Sequence, residues 1–134
     1  MSEENVQIVR KLFAAWNTGD RAQVLELVDP EIVIDATRRV FNPTTYEGME
    51  GVQRMLSDLD DVWDRFQAEP SMEFIDAGER VVVVGRMRAK GKGSGVEVDR
   101  SFAGIWTIRG GRVIRWELGY EDPQTALEAA GLRE

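Results

Sequence analysis

From residue 72 onward the chain is cut at intervals by glycine, and this punctuation constrains the fold more than any other feature of the sequence. Ala77-Gly78, Gly91 to Gly95 and Gly110-Gly111 separate four stretches, Met72 to Ile75, Arg80 to Ala89, Val96 to Ile108 and Arg112 to Tyr120, each rich in β-branched and aromatic residues. Such side chains fit a pleated surface, and short glycine-containing connections return the chain antiparallel to itself. The second half is therefore predicted to be a meander of three or four strands. Gly91 to Gly95 reads as a turn and not as a phosphate cradle, because no helix and no lysine-serine pair follow it.

The first half has a helical period. Val6, Val9, Phe13 and Trp16 recur on one face up to Asn17-Thr18-Gly19, and Asp20 with Gln23 forms a capping pattern for a short second helix that stops at Asp29-Pro30. Glu31 to Asp35 reads as a strand with Ile32 and Ile34 on one face. Ala36 to Gly51 reads as a loop. A third helix is expected from Val52, with Met55, Leu56, Leu59, Val62, Trp63 and Phe66 on its apolar stripe and Asp58, Asp60, Asp61 and Asp64 on a solvated face. Asp122-Pro123 caps a closing helix, Gln124 to Ala130. With 134 residues, the chain suits one α+β domain.

Charge sets the register of the central hairpin. Lys90 opposite Glu97 and Arg88 opposite Asp99 satisfy both pairs, which turns Phe102 and Arg100 to the inner face and Val82, Val84, Ala103 and Ile105 to the outer one. The glycine pair after Arg109 is expected to form a three-residue loop pairing Ile108 with Arg112. That register groups Phe102, Gly104 and Trp106 with Ile114, Trp116, Leu118 and Tyr120 on the inner face. An inward Arg100 needs a carboxylate, and Asp35 is the expected partner. The outer patch calls for cover, which a second copy of the chain would provide.

Composition narrows the chemistry. Seventeen Lys+Arg against 24 Asp+Glu, a net charge of −7, argue against nucleic acid and membrane surfaces as partners. With no cysteine and no histidine, neither thiol chemistry nor the commonest metal ligand is on offer, so no metal or cofactor is expected and any acid–base work falls to Asp, Glu, Tyr, Arg or Lys. The acidic, promptly amphipathic start and the lack of a long apolar run make the cytoplasm the expected location.

Four strings then carry a family resemblance: Phe13-Ala14-Ala15-Trp16-Asn17-Thr18-Gly19-Asp20, Tyr46-Glu47-Gly48-Met49-Glu50-Gly51-Val52, Ile75-Asp76-Ala77-Gly78-Glu79-Arg80, and Phe102-Ala103-Gly104-Ile105-Trp106 with Gly111 to Glu117 following in order. Together they resemble the SnoaL-like and ketosteroid isomerase-like proteins of the nuclear transport factor 2-like superfamily, over nearly the whole chain. The resemblance implies a cone-shaped, curved, mixed or antiparallel sheet with N-terminal helices packed on its concave face, a cystatin-like barrel that is usually dimeric through its sheet. It also implies that Asp35 matches the strand-end aspartate that removes a proton in ketosteroid isomerases. The tyrosine and protonated aspartate of their oxyanion hole fall at Leu12 and Gly104, so that reaction is not expected. The Asp-Arg-Asp set of limonene epoxide hydrolases is met by Asp35 and Arg100 but not at Leu118.

The expected function is thus small-molecule binding in an apolar pocket. It could include a cofactor-free isomerase, cyclase or hydrolase activity with Asp35 as base and Arg100 as its partner. Trp16, Tyr46, Trp63, Phe102, Trp106, Trp116, Leu118 and Tyr120 are the expected ligand contacts. The alternative is a non-catalytic binding or interaction module. If Asp35 and Arg100 converge on a cavity, catalysis is favoured; if tryptophans fill the interior, the module is.

Overall fold

The computed structural model describes residues 2–38, 43–68, 72–120 and 122–131. Helix α1 (Ser2–Thr18) is followed by α2 (Arg21–Leu27), β1 (Val28–Ala36), β2 (Thr44–Glu47), α3 (Gly48–Val62) and β3 (Trp63–Ala68). Strands β4 (Glu73–Ala77), β5 (Arg80–Gly91), β6 (Glu97–Arg109) and β7 (Arg112–Tyr120) come next, and α4 (Pro123–Ala129) closes the chain. The fold is α+β: one strongly curled, half-barrel sheet in the order β2-β1-β7-β6-β5-β3, with β4 beside β5 and helices against it. All neighbouring strands run antiparallel except β1 and β7.

Local signals set most of these boundaries. Asp20 caps α2 by accepting from the Gln23 N–H, and Asp122 caps α4 by accepting from the Thr125 N–H and hydroxyl. Gly19, at φ +78°, takes the left-handed conformation that stops α1. The central hairpin has the register set by charge, with Lys90 opposite Glu97 and Arg88 opposite Asp99.

Three elements differ from expectation. Residues 44–47, expected within a loop, form β2 against β1, while 39–42 of that loop lie outside the described residues. The third helix begins at Gly48 and ends at Val62, so Trp63 and Phe66 sit on β3, an edge strand paired with β5. Long-range hydrogen bonds override the helical pattern there: the Trp16 indole donates to the Phe66 carbonyl at 3.0 Å, and the Asn17 amide bonds both the N–H and the carbonyl of Ala68 at 3.0 Å. Finally, the β6–β7 turn is two residues, Gly110 and Gly111 at φ +61° and +81°, which pairs Arg109 with Arg112 and Ile108 with Val113.

Strand β7 then carries two bulges. One β6 step from Ile108 to Thr107 spans two residues of β7, and two β6 steps from Ile105 to Ala103 span three, from Glu117 to Tyr120. Gly119, at φ +84°, sits in the second. Each bulge moves the following residues by one position, so the simple alternation along β7 breaks.

The sheet separates two apolar clusters. The larger lies between its inner face and α1 to α3, and includes Val9, Leu12, Ile32, Ile34, Trp106 and Trp116. The smaller lies on the outer face, where Ala126 and Ala130 at the α4 end cover Val82, Ala103, Ile105 and Tyr120. Val82 is 0%, Ala103 2% and Ile105 1% exposed, and Val84 packs at the cluster's edge. Within a single chain the last helix thus already covers Val82, Ala103 and Ile105, and pairing with a second copy through the sheet stays an expectation. Among the described residues no helix is long and apolar enough to cross a membrane.

Candidate functional site

The inner face is packed with aromatic rings. Phe13 lies 5.2 Å from Trp106 and 6.1 Å from Phe102, Trp106 lies 5.6 Å from Trp116, and Trp16 meets Trp116 edge-on at 5.9 Å. Trp106 and Trp116 face each other directly across β6 and β7, and Leu118 packs against the same cluster. Four expected contacts, Phe102, Trp106, Trp116 and Leu118, are therefore brought together, but as neighbours in a filled core. A Cβ at Gly104 would stand 2.8 Å from the Trp106 ring, so that ring occupies the space a side chain on residue 104 would need. Leu12 is buried beside them.

Within this core the indole N–H groups of Trp106 and Trp116 have no acceptor in reach among the described residues. Trp106 is 1% and Trp116 5% exposed.

A cleft of about 250 Å³ opens where the end of α1, α2, the end of α3 and β3 meet. Its apolar walls are Trp16, Trp63, Phe66, Val24, Leu56 and Leu59. Phe66 stands 6.2 Å from Trp16 and 6.0 Å from Trp63, so three rings frame the opening. Polar side chains line it as well: Asn17, Thr18, Gln67, Asp64, and Arg21 paired in a fork with Asp60 at 2.8 and 2.6 Å. The Arg21 hydrogen bond, aided by its charge, holds the Asp60 carboxyl below its ordinary pKa. Phe66 was read as core, and its strand placement is what brings it to the cleft; no local signal in residues 63–68 marks that change.

The remaining expected residues lie elsewhere. Asp35 is on the outer face, because Ile34 and Ala36, its neighbours on β1, point into the core at 0% exposure. Its carboxylate accepts from the Thr37 N–H at 3.0 Å and hydroxyl at 2.6 Å, and pairs with Arg38 at 3.2 Å and Arg115 at 3.4 Å. The Thr37 hydroxyl bond, followed by the Thr37 N–H and the Arg38 charge, outweighs partial burial and lowers its pKa.

Arg100 lies on the Phe102 side of β6, as the register required, but it is exposed and two strands away from β1 on the opposite face from Asp35. The expected Asp35–Arg100 pair is therefore not formed; the sheet itself separates them. Tyr120 is turned to the outer face by the bulge at Gly119, where its hydroxyl donates to Glu117 at 3.2 Å and the Arg38 guanidinium lies 4.4 Å over its ring. Burial, then the Glu117 charge, raises the Tyr120 pKa. Tyr46 is 1% exposed and donates to Asp58 at 2.8 Å, holding α3 to β2 and not standing at a pocket mouth. The structure thus brings Trp16 and Trp63 to the cleft, with Trp116 behind Trp16, and takes Asp35, Arg100, Tyr46 and Tyr120 away from it.

A family model described as a SnoaL-like domain matches residues 9–116. Among solved structures, an NTF2-like protein from Burkholderia xenovorans is 26% identical, with 97% of each chain covered and a TM-score of 0.77. TerC, co-crystallised with polyporic acid, is 23% identical over 96% of this chain and 98% of its own, with a TM-score of 0.76. A candidate polyketide cyclase from Xanthomonas campestris is 16% identical over 96% and 98% of the two chains, again at 0.76. Among curated proteins none matches the chain.

Proposed function

Because the chain belongs to the SnoaL-like domain family, matched over residues 9–116, we propose that it binds an apolar, ring-containing small molecule in the cleft framed by Trp16, Trp63 and Phe66. The observation that carries this reading is an opening of about 250 Å³ lined by Trp16, Trp63 and Phe66, with Phe66 edge-on to Trp16 and tilted against Trp63, and with the polar side chains of Asn17, Arg21, Asp60, Asp64 and Gln67 beside them. Small-molecule sites combine apolar walls with convergent polar groups, and this cleft has both; its volume lies just below their usual ~300–1,000 Å³, which suits a ligand of one or two rings. Stacking and edge contacts with indole and phenyl rings favour a flat, aromatic-fused partner. The solved neighbour holding polyporic acid and those described as candidate polyketide cyclases support a ring-shaped ligand.

Binding is favoured over acid–base catalysis by Asp35. A general base must reach the proton it removes, and a carboxylate on the outer face, held below its ordinary pKa by Thr37 and Arg38, is both remote from the cleft and a weaker base. An isomerase, cyclase or hydrolase working at this cleft would draw on Asp64 instead, since Asp60 is paired with Arg21 and held below its ordinary pKa.

The test is a fluorescence and thermal-shift titration with ring ketones and fused aromatics, run on the wild type, Trp63→Ala and Asp35→Asn. At least one compound binds the wild type, Trp63→Ala weakens it about tenfold, worth ~1.4 kcal/mol, and Asp35→Asn leaves it unchanged. Equal binding by Trp63→Ala and wild type would refute the site. Loss of binding in Asp35→Asn would return the ligand to the outer face.

A further inference from the structure

Three charged side chains line the cleft, Arg21, Asp60 and Asp64. Arg21 and Asp60 neutralise each other in their fork at 2.8 and 2.6 Å, and Lys92, outside the lining, donates to the Asp60 carbonyl at 3.0 Å. Asp64 has no hydrogen bond or ion pair with a described residue, so the lining keeps one carboxylate charge unbalanced. Donors there are mostly taken. Apart from the Trp63 indole, each donor side chain of the lining has a partner in the protein: Trp16 donates to the Phe66 carbonyl, Asn17 to that of Ala68, Thr18 to those of Ala14 and Ala15, Gln67 to that of Asn17, and Arg21 to Asp60. The cleft therefore offers a ligand a free carboxylate beside aromatic rings. The ring planes are inclined, Phe66 at 68° to Trp16 and 54° to Trp63, which makes a corner and not a stack.

From this we propose that the ring-bearing ligand of the cleft is an organic cation, an amine or quaternary ammonium on an apolar ring, held with its charge between the aromatic corner and the Asp64 carboxylate. The proposal rests on the cleft reading and names its ligand class. The negative face of an aromatic ring attracts a cation within about 6 Å, and Trp does so best. The hydrogen bonds that tie the end of α1 to β3 fix Trp16 and Phe66 before anything binds, so little ordering is left for the ligand to bring about. A ligand bearing a carboxylate would face Asp64 and would have to take Arg21 from Asp60. A neutral carbonyl would find few free donors. The net charge of −7 adds a field that draws cations and repels anions.

The experiment uses phenyltrimethylammonium and tert-butylbenzene, which share a shape and differ by a charged nitrogen in place of one carbon. The protein labelled with ¹⁵N at its four indoles is titrated with each, and the Trp16 and Trp63 resonances, assigned through Trp→Phe variants or through the backbone, report binding at the cleft. Phenyltrimethylammonium moves both resonances and binds about fivefold more tightly than tert-butylbenzene, the scale of a partly exposed cation–π contact. Asp64→Asn lowers its affinity about threefold, the scale of one exposed charge pair, and leaves that of tert-butylbenzene unchanged. Asp61→Asn, which removes the same charge on α3 outside the lining, changes neither. If the two compounds bind equally, or if Asp64→Asn acts no more strongly than Asp61→Asn, the inference is overturned and the cleft reading stands. If neither compound moves either resonance, both fall. Asp61 and Asp64 are exposed, so both variants keep the fold.

Discussion

Gly104 offers the sharpest test of the packed inner face. An alanine Cβ there would sit 2.8 Å from Cζ3 and 2.9 Å from Cη2 of Trp106, and 2.9 Å from the Glu117 carbonyl oxygen. None of these can yield cheaply: the carbonyl belongs to the adjacent strand, and the Trp106 ring is 1% exposed and held between Phe13 and Trp116. Overpacking of this kind costs about 1–3 kcal/mol, and replacing a strand glycine by alanine returns about 0.5–1 kcal/mol through the unfolded chain. The net loss is centred on about 1 kcal/mol and spans about 0–2.5 kcal/mol. For a chain of this size the central value lowers Tm by about 3–5 °C. The assay is urea unfolding followed by tryptophan fluorescence, in the wild type and in a Trp106→Phe background. Phenylalanine lacks the outer ring atoms the new methyl would meet, so Gly104→Ala costs at least ~0.5 kcal/mol less there, a coupling a double-mutant cycle resolves. A clearly stabilising Gly104→Ala in the wild type, or an equal effect in both backgrounds, would refute the placement of Trp106 over residue 104.

Other outcomes follow from the outer face. Asp35→Asn destabilises by about 1 kcal/mol at neutral pH, since its guanidinium partners are a third to nearly half exposed and each such pair is worth little. Because the folded-state pKa of Asp35 is lowered, its contribution is present above the unfolded value near ~3.9 and is lost as pH falls through the folded value, so the two proteins converge in acid; a difference that persists at pH 2 argues against these partners. Ala126→Asp places a carboxylate at a position 0% exposed, undocks α4 and uncovers Val82, Ala103 and Ile105. Light scattering then shows self-association where the wild type shows none beyond its own state, and an unchanged mass with no gain in apolar-dye fluorescence counts against α4 as the cover. Asn17→Ala removes both amide bonds to Ala68, and hydrogen exchange at β3 rises while that at β6 does not.

What the sequence revealed was what local chemistry governs. Asp20 and Asp122 announced their helices, since a cap needs only its next three residues, and Lys90–Glu97 with Arg88–Asp99 fixed the β5–β6 register, since charge pairing is readable across a turn. The resemblance carried the α+β sheet. The misses arise from non-local effects. Trp63 and Phe66 continue a helical stripe, and only bonds from Trp16 and Asn17, some fifty residues earlier, make that stretch an edge strand. Tyr120 keeps a strand's alternation on paper, but the Gly119 bulge reverses it, and a glycine in a strand does not by itself announce a bulge. Asp35 fell on the wrong side for a related reason. The strand alternation groups Ile32 with Ile34 and sets Asp35 opposite them, but the need of an inward Arg100 for a carboxylate places Asp35 on their face, against that alternation.

The pairing of β1 with β7 also sets an order of events. Asp35 and Arg115, bonded side by side, are 80 residues apart in the chain, whereas β5, β6 and β7 follow one another through short turns. Closing so long a loop has an entropic cost that only contacts made afterwards offset. The β5–β6–β7 ribbon can therefore assemble by itself, while α1, α2 and β1 must wait. During synthesis the first third of the protein leaves the ribosome with β1 paired on one edge by β2, and its other edge stays open until Trp116 arrives, which makes the interval before β7 emerges the time of greatest exposure to aggregation.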